Sequence, residues 1–194
     1  MIAAVVVRNA SDQLHTRALA TLRALLPHVG IVAPGIYACD LAGTERVLGA
    51  PSRIARVIVE RLARSGAPAA VAVAVTPFAA RVAAERTADG DVRLVTEPRE
   101  YLAPLPLEVL PIDPKLVDEL GLLGMRSVGD FAALPRGAVF DRFGRGAARA
   151  HALARRAVIG ARRLRPRRAT HRGAPRARGR RSAAPRARDP PAHA

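Results

Sequence analysis

The sequence predicts an α+β chain: an alternating strand–helix portion, then an all-helical portion, then a basic tail. Three observations carry that expectation. Short runs of small apolar residues, Ile2–Val7 and Ala69–Val75, are separated by stretches with apolar residues at helical spacing. Prolines cluster after Glu97, at Pro98, Pro104, Pro106, Pro111 and Pro114, and strand signals stop there. Residues 160–194 hold 12 Arg against one acid, Asp189, and keep no apolar periodicity.

Ile2–Val7, bounded by Arg8 and Asn9, reads as a buried strand. Ser11 and Asp12 can cap the helix that follows, along which Leu14, Ala18, Leu22, Leu25 and Leu26 recur until Pro27. Val29–Val32 and Ile36–Leu41 are extended segments split by Pro34-Gly35. Pro51 and Ser52 open an amphipathic helix, with Ile54, Val57, Ile58 and Leu62 on one face and Arg53, Arg56, Glu60, Arg61 and Arg64 elsewhere; Gly66 stops it. Ala69–Val75 is a central strand, Thr76-Pro77 caps a helix through Arg86, and Val92–Val95 is a further strand after the Asp89-Gly90-Asp91 turn. Beyond the proline-rich connector, Leu116, Leu120 and Leu123 form a helical stripe, and Leu123-Gly124-Met125-Arg126 is a tight turn. Ser127-Val128-Gly129-Asp130 is a capping box that starts a new helix, with Phe131 and Leu134 as its apolar face and Pro135 as its end. Two more short helices follow around Phe143-Gly144, and the tail after Gly160 is expected to be disordered, since Arg, Pro and Gly bury too little surface to offset chain entropy.

The composition excludes several classes of function. Cys39 is the lone cysteine, so there is no disulfide framework and no cysteine-based metal site. No apolar run approaches the roughly 20 residues of a membrane span, and Met1–Val7 lacks a basic segment before it, so a cytoplasmic protein without a signal peptide or membrane partner is expected. His15, His28 and His151 have no ligand spacing, so no metal and no cofactor is expected. The net charge is +16, carried by 31 Arg and Lys115 against 16 acids. Such a chain attracts polyphosphates by Coulomb force and counterion release. The tail's Arg, Ala, Pro and Gly are equally what a GC-rich coding sequence, or one read in a shifted frame, would produce.

Two constellations could carry function. The helical hairpin of Pro114–Leu134 is the candidate DNA contact: Gly124 would let the backbone approach a phosphate, and N–H groups of Met125, Arg126, Ser127 and Gly129 would hold it, with one charge from Arg126. The other reading is an αα-hairpin that only packs. A two-metal phosphoryl-transfer site needs several converging carboxylates, about 4 Å between the ions. Asp40 is the only acid in a strand, and it reads instead as a strand-end residue capping the turn at Ala42-Gly43. A hydrolase built on Asp40 and a histidine would need folding to bring the two together.

Asp40-Leu41-Ala42-Gly43-Thr44, with the run before it, resembles the palm segment Ser-Ile-Asp-Glu-Ala-Tyr-Leu-Asp-Leu-Thr-Gly-Thr of Y-family (UmuC/DinB/ImuB-like) translesion DNA polymerases. Without a gap, the family's catalytic Asp-Glu pair falls on Gly35 and Ile36, the later Asp on Asp40, and the Gly-Thr on Gly43-Thr44. Val71–Val75 followed by Pro77-Phe78-Ala79-Ala80-Arg81-Val82-Ala83 resembles the palm strand and its Asn-Lys-x-x-Ala-Lys-Ile-Ala helix, with Thr76-Pro77 in place of Asn-Lys; the family's later Lys-Pro is missing at Thr87-Ala88-Asp89. Pro104–Leu110 and Leu122–Pro135 resemble the lead into the thumb and its helix–hairpin–helix.

The resemblance covers residues 3–157 and implies an incomplete polymerase palm, a mixed sheet with helices, at 1–97, a small all-α helix–hairpin–helix thumb at 98–157, and a disordered tail at 158–194. It also implies that the segment bearing the family's first metal-binding Asp, the fingers and the little finger are lacking. The expected function is sequence-independent DNA binding in translesion synthesis, with no catalytic residues and with other replication or repair proteins as further partners. Two alternatives stay open: a non-functional polymerase remnant, and a small basic nucleic-acid-binding protein that acts through its tail.

Overall fold

Five residues of unbroken apolar character, Ile2–Val6, form β1, which lies in the middle of the sheet. Successive side chains of a strand face opposite ways, so Ala3 and Val5 enter one core while Ala4 and Val6 enter another. The computed structural model describes residues 1–158; the disorder expected of the Arg-rich tail lies outside the described residues.

After β1 come α1 (Asp12–Leu25), β2 (Val29–Ala33), β3 (Ile36–Asp40), a short α2 (Glu45–Leu48), α3 (Pro51–Arg64) and β4 (Ala70–Ala74). Their sheet order, β2-β3-β1-β4, is antiparallel throughout, as in split βαβ sheets of ferredoxin type. α4 (Pro77–Glu85) then carries the chain over to β5 (Val92–Val95), which extends the sheet parallel to β4. The sheet is therefore mixed, as the sequence implied. The expected caps form: the Ser11 hydroxyl accepts from Leu14 N–H at 3.3 Å and Thr76 Oγ1 from Ala79 N–H at 3.2 Å.

The two sheet faces are built differently. On one, Leu22 of α1 and Ile54, Ile58 and Leu62 of α3 are fully buried against Val5, Tyr37, Cys39 and Val73. Each such Leu or Ile contributes about 1.5–3 kcal/mol of burial. On the other, Ala72 and Ala74 of the sheet meet Ala79, Ala80 and Ala83 of α4. Small residues there bring helix and sheet close and contribute little area each.

The helical portion adds to this second face in one continuous apolar cluster. The proline-rich connector is not structureless: Pro98–Leu102 forms α5 and Leu107–Val109 a 3-10 turn. Pro98 sits in the first turn of α5, where its fixed φ and missing N–H cost nothing. α6 (Pro114–Leu122), α7 (Val128–Ala133) and α8 (Arg136–Val158) follow. α8 is two helical segments meeting at Gly144, whose φ of 75° and ψ of −171° break the helix where two short helices were expected. The expected stripe of Leu116, Leu120 and Leu123 is shorter: Leu120 is buried, but Leu123 is 46% exposed. The helix ends at Leu122, and Leu123 turns with Gly124 off the stripe. No helix among the described residues is long and apolar enough to cross a membrane.

Candidate nucleic-acid interface

α6 and α7 enclose the hairpin Leu123–Ser127. Its local chemistry is the one the sequence encodes. Gly124 adopts φ +81°, with open space where a Cβ would stand. Left-handed backbone of this kind closes helix C-termini, and here Gly124 N–H donates to Gly121 C=O at 3.0 Å and Met125 N–H to Leu120 C=O at 3.0 Å. Ser127 Oγ accepts from Asp130 N–H at 3.1 Å, and Asp130 Oδ2 accepts from Ser127 N–H at 3.0 Å, completing the capping box. The same oxygen accepts from Arg126 N–H at 3.2 Å. The Ser127 side chain first, then these two amides, hold the Asp130 carboxyl below its usual range, so it is ionised at neutral pH.

The amides expected to hold a phosphate have partners within the chain: Met125 N–H donates to Leu120 C=O, those of Arg126 and Ser127 to Asp130 Oδ2, and Gly129 N–H to Ala103 C=O at 3.0 Å; the neighbouring Val128 N–H donates to Leu105 C=O at 2.8 Å. A Cβ on Gly129 would stand 3.1 Å from the Ala103 oxygen, so the connector packs closely against this glycine. Met125 is half-buried against the helical core. Of the five residues singled out in the sequence, Gly124 and Arg126 are the exposed ones.

Sequence reasoning passed over a second basic feature. Arg142, Arg145 and Arg149 are exposed on α8, and none forms an ion pair among the described residues. Arg145 and Arg149 share one helix face by their four-residue spacing, while Arg142 lies on the segment before the break at Gly144.

The positions that the resemblance assigns to catalysis lie at the β2–β3 turn. Gly35 has φ +73°, and a Cβ there would stand 2.5 Å from the Val7 carbonyl oxygen. Its own carbonyl accepts from Val7 N–H at 2.8 Å, tying the turn to the end of β1. Ile36 packs against the apolar cluster of the α4 face. Nearby, Arg8 is ion-paired with Asp89 and also donates to the Thr87 carbonyl. Asp40 Oδ1 accepts from Ala42 N–H at 2.9 Å, the turn-capping role open to it in the sequence.

Folding brings His28 opposite Asp40, whose N–H donates to the His28 carbonyl at 3.1 Å; the two side chains form no hydrogen bond. His15 Nδ1 is 2.8 Å from the buried Tyr37 hydroxyl, and His151 Nε2 is 3.0 Å from Leu134 O. Among the described residues, no three His, Cys, Asp or Glu side chains gather.

No family model matches the chain. A DNA polymerase IV of Caulobacter vibrioides is 35% identical over 120 residues, covering 59% of this chain and 30% of that protein. Protein ImuB of the same organism is 34% identical over 105 residues, covering 54% of this chain and 23% of that protein. The chain thus spans less than a third of the length of these relatives. In fold, it is similar to DinB from Sulfolobus solfataricus, with a TM-score of 0.64 at 17% identity, covering 76% of this chain and 44% of that one. An insertion ternary complex of Dbh DNA polymerase gives the same TM-score at 18% identity and the same coverage. Sequence relatives and the mixed five-stranded sheet agree: the chain is similar in sequence to part of DNA polymerase IV and of ImuB, and its α+β fold is similar to that of Y-family DNA polymerases.

Proposed function

We propose that this chain binds DNA in translesion synthesis without copying it. The observation that carries the reading is the occupation of the family's catalytic positions. Gly35 sits in a left-handed turn against the Val7 carbonyl, and Ile36 sits in apolar packing. At Gly35 any side chain would meet the Val7 carbonyl, and at Ile36 an aliphatic side chain stands where the family has an acid, so neither position supplies a carboxylate to a metal ion.

DNA contact falls to a thumb-like region, residues 98–157, that follows a palm-like region at 1–97. With the amides of the hairpin occupied, Gly124 offers close backbone approach and Arg126 a charge, while ionised Asp130 opposes phosphate nearby. Arg142, Arg145 and Arg149 add charge on α8. Binding of this kind reads the phosphate backbone and not the bases. In the cell, the protein would act in the cytoplasm beside other replication or repair proteins, and it would need no metal or cofactor of its own.

A second reading, a small nucleic-acid-binding protein acting through its tail, is favoured by the 12 Arg of residues 160–194. Titration of labelled duplex DNA against salt separates the two. If about six tail arginines engage phosphates, the slope of log K against log[salt] is roughly −5. The described residues 1–158 lie in one compact unit, so a chain ending at Arg162 is a fair comparison. It should keep weak binding with a shallower slope, and Arg126→Ala within it should reduce that slope by roughly one. Loss of all binding at low salt on removing 163–194 would leave the hairpin a packing unit. Primer extension by the pure protein with Mg²⁺ or Mn²⁺, abolished by Asp40→Ala, would refute the non-catalytic reading.

A further inference from the structure

The sheet edge formed by β2 is open. β2 is the outermost strand, and Ile31 and Val32 are 51% and 53% exposed. Pairing in an antiparallel ladder uses alternate residues. His28 C=O accepts from Asp40 N–H, and Gly30 lies opposite Ala38, so Val29 and Ile31 turn their N–H and C=O groups outward. Proteins usually blunt such edges with charge or proline, and Val29–Ala33 contains neither. The irregularity it does contain is the register shift between Ile31 and Ala33, which ends regular pairing at Val32.

Beside this edge, on the α4 face, lies a cleft of about 490 Å³. Val32, Ile36, Val75 and Leu153 give it apolar walls, Arg81 and Arg156 line it as well, and no carboxylate does. Arg81 reaches Glu85 at 3.7 Å and lies 5.8 Å from the Phe78 ring centre. Arg156 is exposed and has no ion pair among the described residues. Beside Val29 and Gly30, a second hollow is lined by Asp40.

These features together specify an occupant. An added strand finds outward backbone groups at Val29 and Ile31, apolar walls for alternate side chains, and two guanidiniums lining the cleft beside the edge. We propose that the β2 edge and this cleft take an extended peptide of a partner protein, aliphatic at alternate positions and carrying acidic side chains that meet Arg81 and Arg156, added antiparallel to β2. A second copy of this chain is a poorer fit, because two chains of net charge +16 repel and its own edge strand offers no acid. The inference is independent of the DNA-binding reading.

The test uses the full chain and a fluorescein-labelled peptide, Glu-Val-Glu-Val-Thr-Val-Thr, read by fluorescence anisotropy. The control peptide has the same composition in the order Val-Val-Val-Glu-Glu-Thr-Thr. The alternating peptide should bind roughly tenfold tighter than the control. Ile31→Pro removes an outward N–H at an edge position that tolerates proline and should weaken binding roughly tenfold. Arg156→Glu should do the same by turning attraction into repulsion. Should Ile31→Pro lose its circular dichroism signal, Val32→Glu, at an exposed position in the cleft, carries the same expectation. Equal affinity for the two peptides would assign binding to the tail's charge and overturn the proposal. So would unaltered affinity in the folded variants, or full displacement by a short single-stranded oligonucleotide. Sedimentation of the unliganded chain as a dimer that Ile31→Pro dissolves would overturn it too, by showing a second copy on the edge.

Discussion

Gly35→Ala tests how the β2–β3 turn meets the end of β1. Two costs add at this position. A residue with a Cβ at φ +73° pays roughly 1–2 kcal/mol for left-handed backbone. The new Cβ would stand 2.5 Å from the Val7 carbonyl oxygen, a separation that backbone must relieve by moving. Overpacking of that kind costs about 1–3 kcal/mol, and the shift also strains the 2.8 Å bond from Val7 N–H to Gly35 C=O. The sum, about 2–5 kcal/mol, is a large share of the roughly 5–15 kcal/mol stability of an ordinary domain. It corresponds to a fall in Tm of roughly 6–15 °C for a domain of this size. Gly43→Ala is the internal control. Its φ is +80°, and a Cβ there meets nothing within 4 Å. It should therefore show the backbone cost alone, roughly 3–6 °C. Thermal melts followed by circular dichroism measure both. Equal losses at the two positions would mean that Gly35 does not approach Val7, and the argument that no carboxylate can be seated there would fall with it. Gly35→Asp combined with Ile36→Glu should be worse than Gly35→Ala, since it adds two unpaired carboxylates, and it should restore no primer extension.

Three further outcomes follow from single contacts. His151 is buried, and burial first, then the charges of Arg155 and Arg136, lower its pKa, against the opposing effect of its bond to Leu134 O. The unfolded chain thus binds the proton more readily, so the His151 contribution is fully present above pH 6.5 and is lost as pH falls through the folded pKa. A Tm series from pH 8 to pH 5 should decline by no more than about 1.4 kcal/mol per pH unit from this group, and His151→Gln should flatten it; an unchanged slope would refute the assignment. Ser127→Ala removes one half of the capping box and should cost about 1 kcal/mol in urea unfolding, whereas a loss near zero would mean that the box is not formed. Tyr37→Phe deletes the 2.8 Å bond to His15 while keeping the ring, and should cost about 1 kcal/mol in the same assay, with no change in m-value.

Much of the local architecture was legible in the residues. Ser11, Thr76 and Ser127 cap the helices they precede, and Asp40 caps its turn, because these bonds span two or three residues and need no distant partner. The runs at Ile2–Val6 and Ala70–Ala74 are strands, and Gly144 divides the last helix, for the same reason. Of the candidate interface, the hairpin, its glycine and its capping box were readable, whereas the occupancy of its amides was not. Leu105 and Ala103, which take the amides of Val128 and Gly129, lie some twenty residues away in a connector that local signals left without structure. Periodicity also gave no warning that Leu123 would turn outward, since the stripe continues in sequence past the point where the helix ends. Strand order was beyond local reading as well. β1 and β4 are apolar on both faces, so their pattern carries no register, and β1 finds its place between β3 and β4 by pairing with them and packing between two helical layers. The sequence alone determined the longer strands and helices, the caps at Ser11, Thr76 and Ser127, and the concentration of charge in residues 160–194. Tertiary structure alone decided which strand is left open at the edge, which amides remain available and what stands against Gly35, because each depends on surfaces meeting across distances that no local pattern spans.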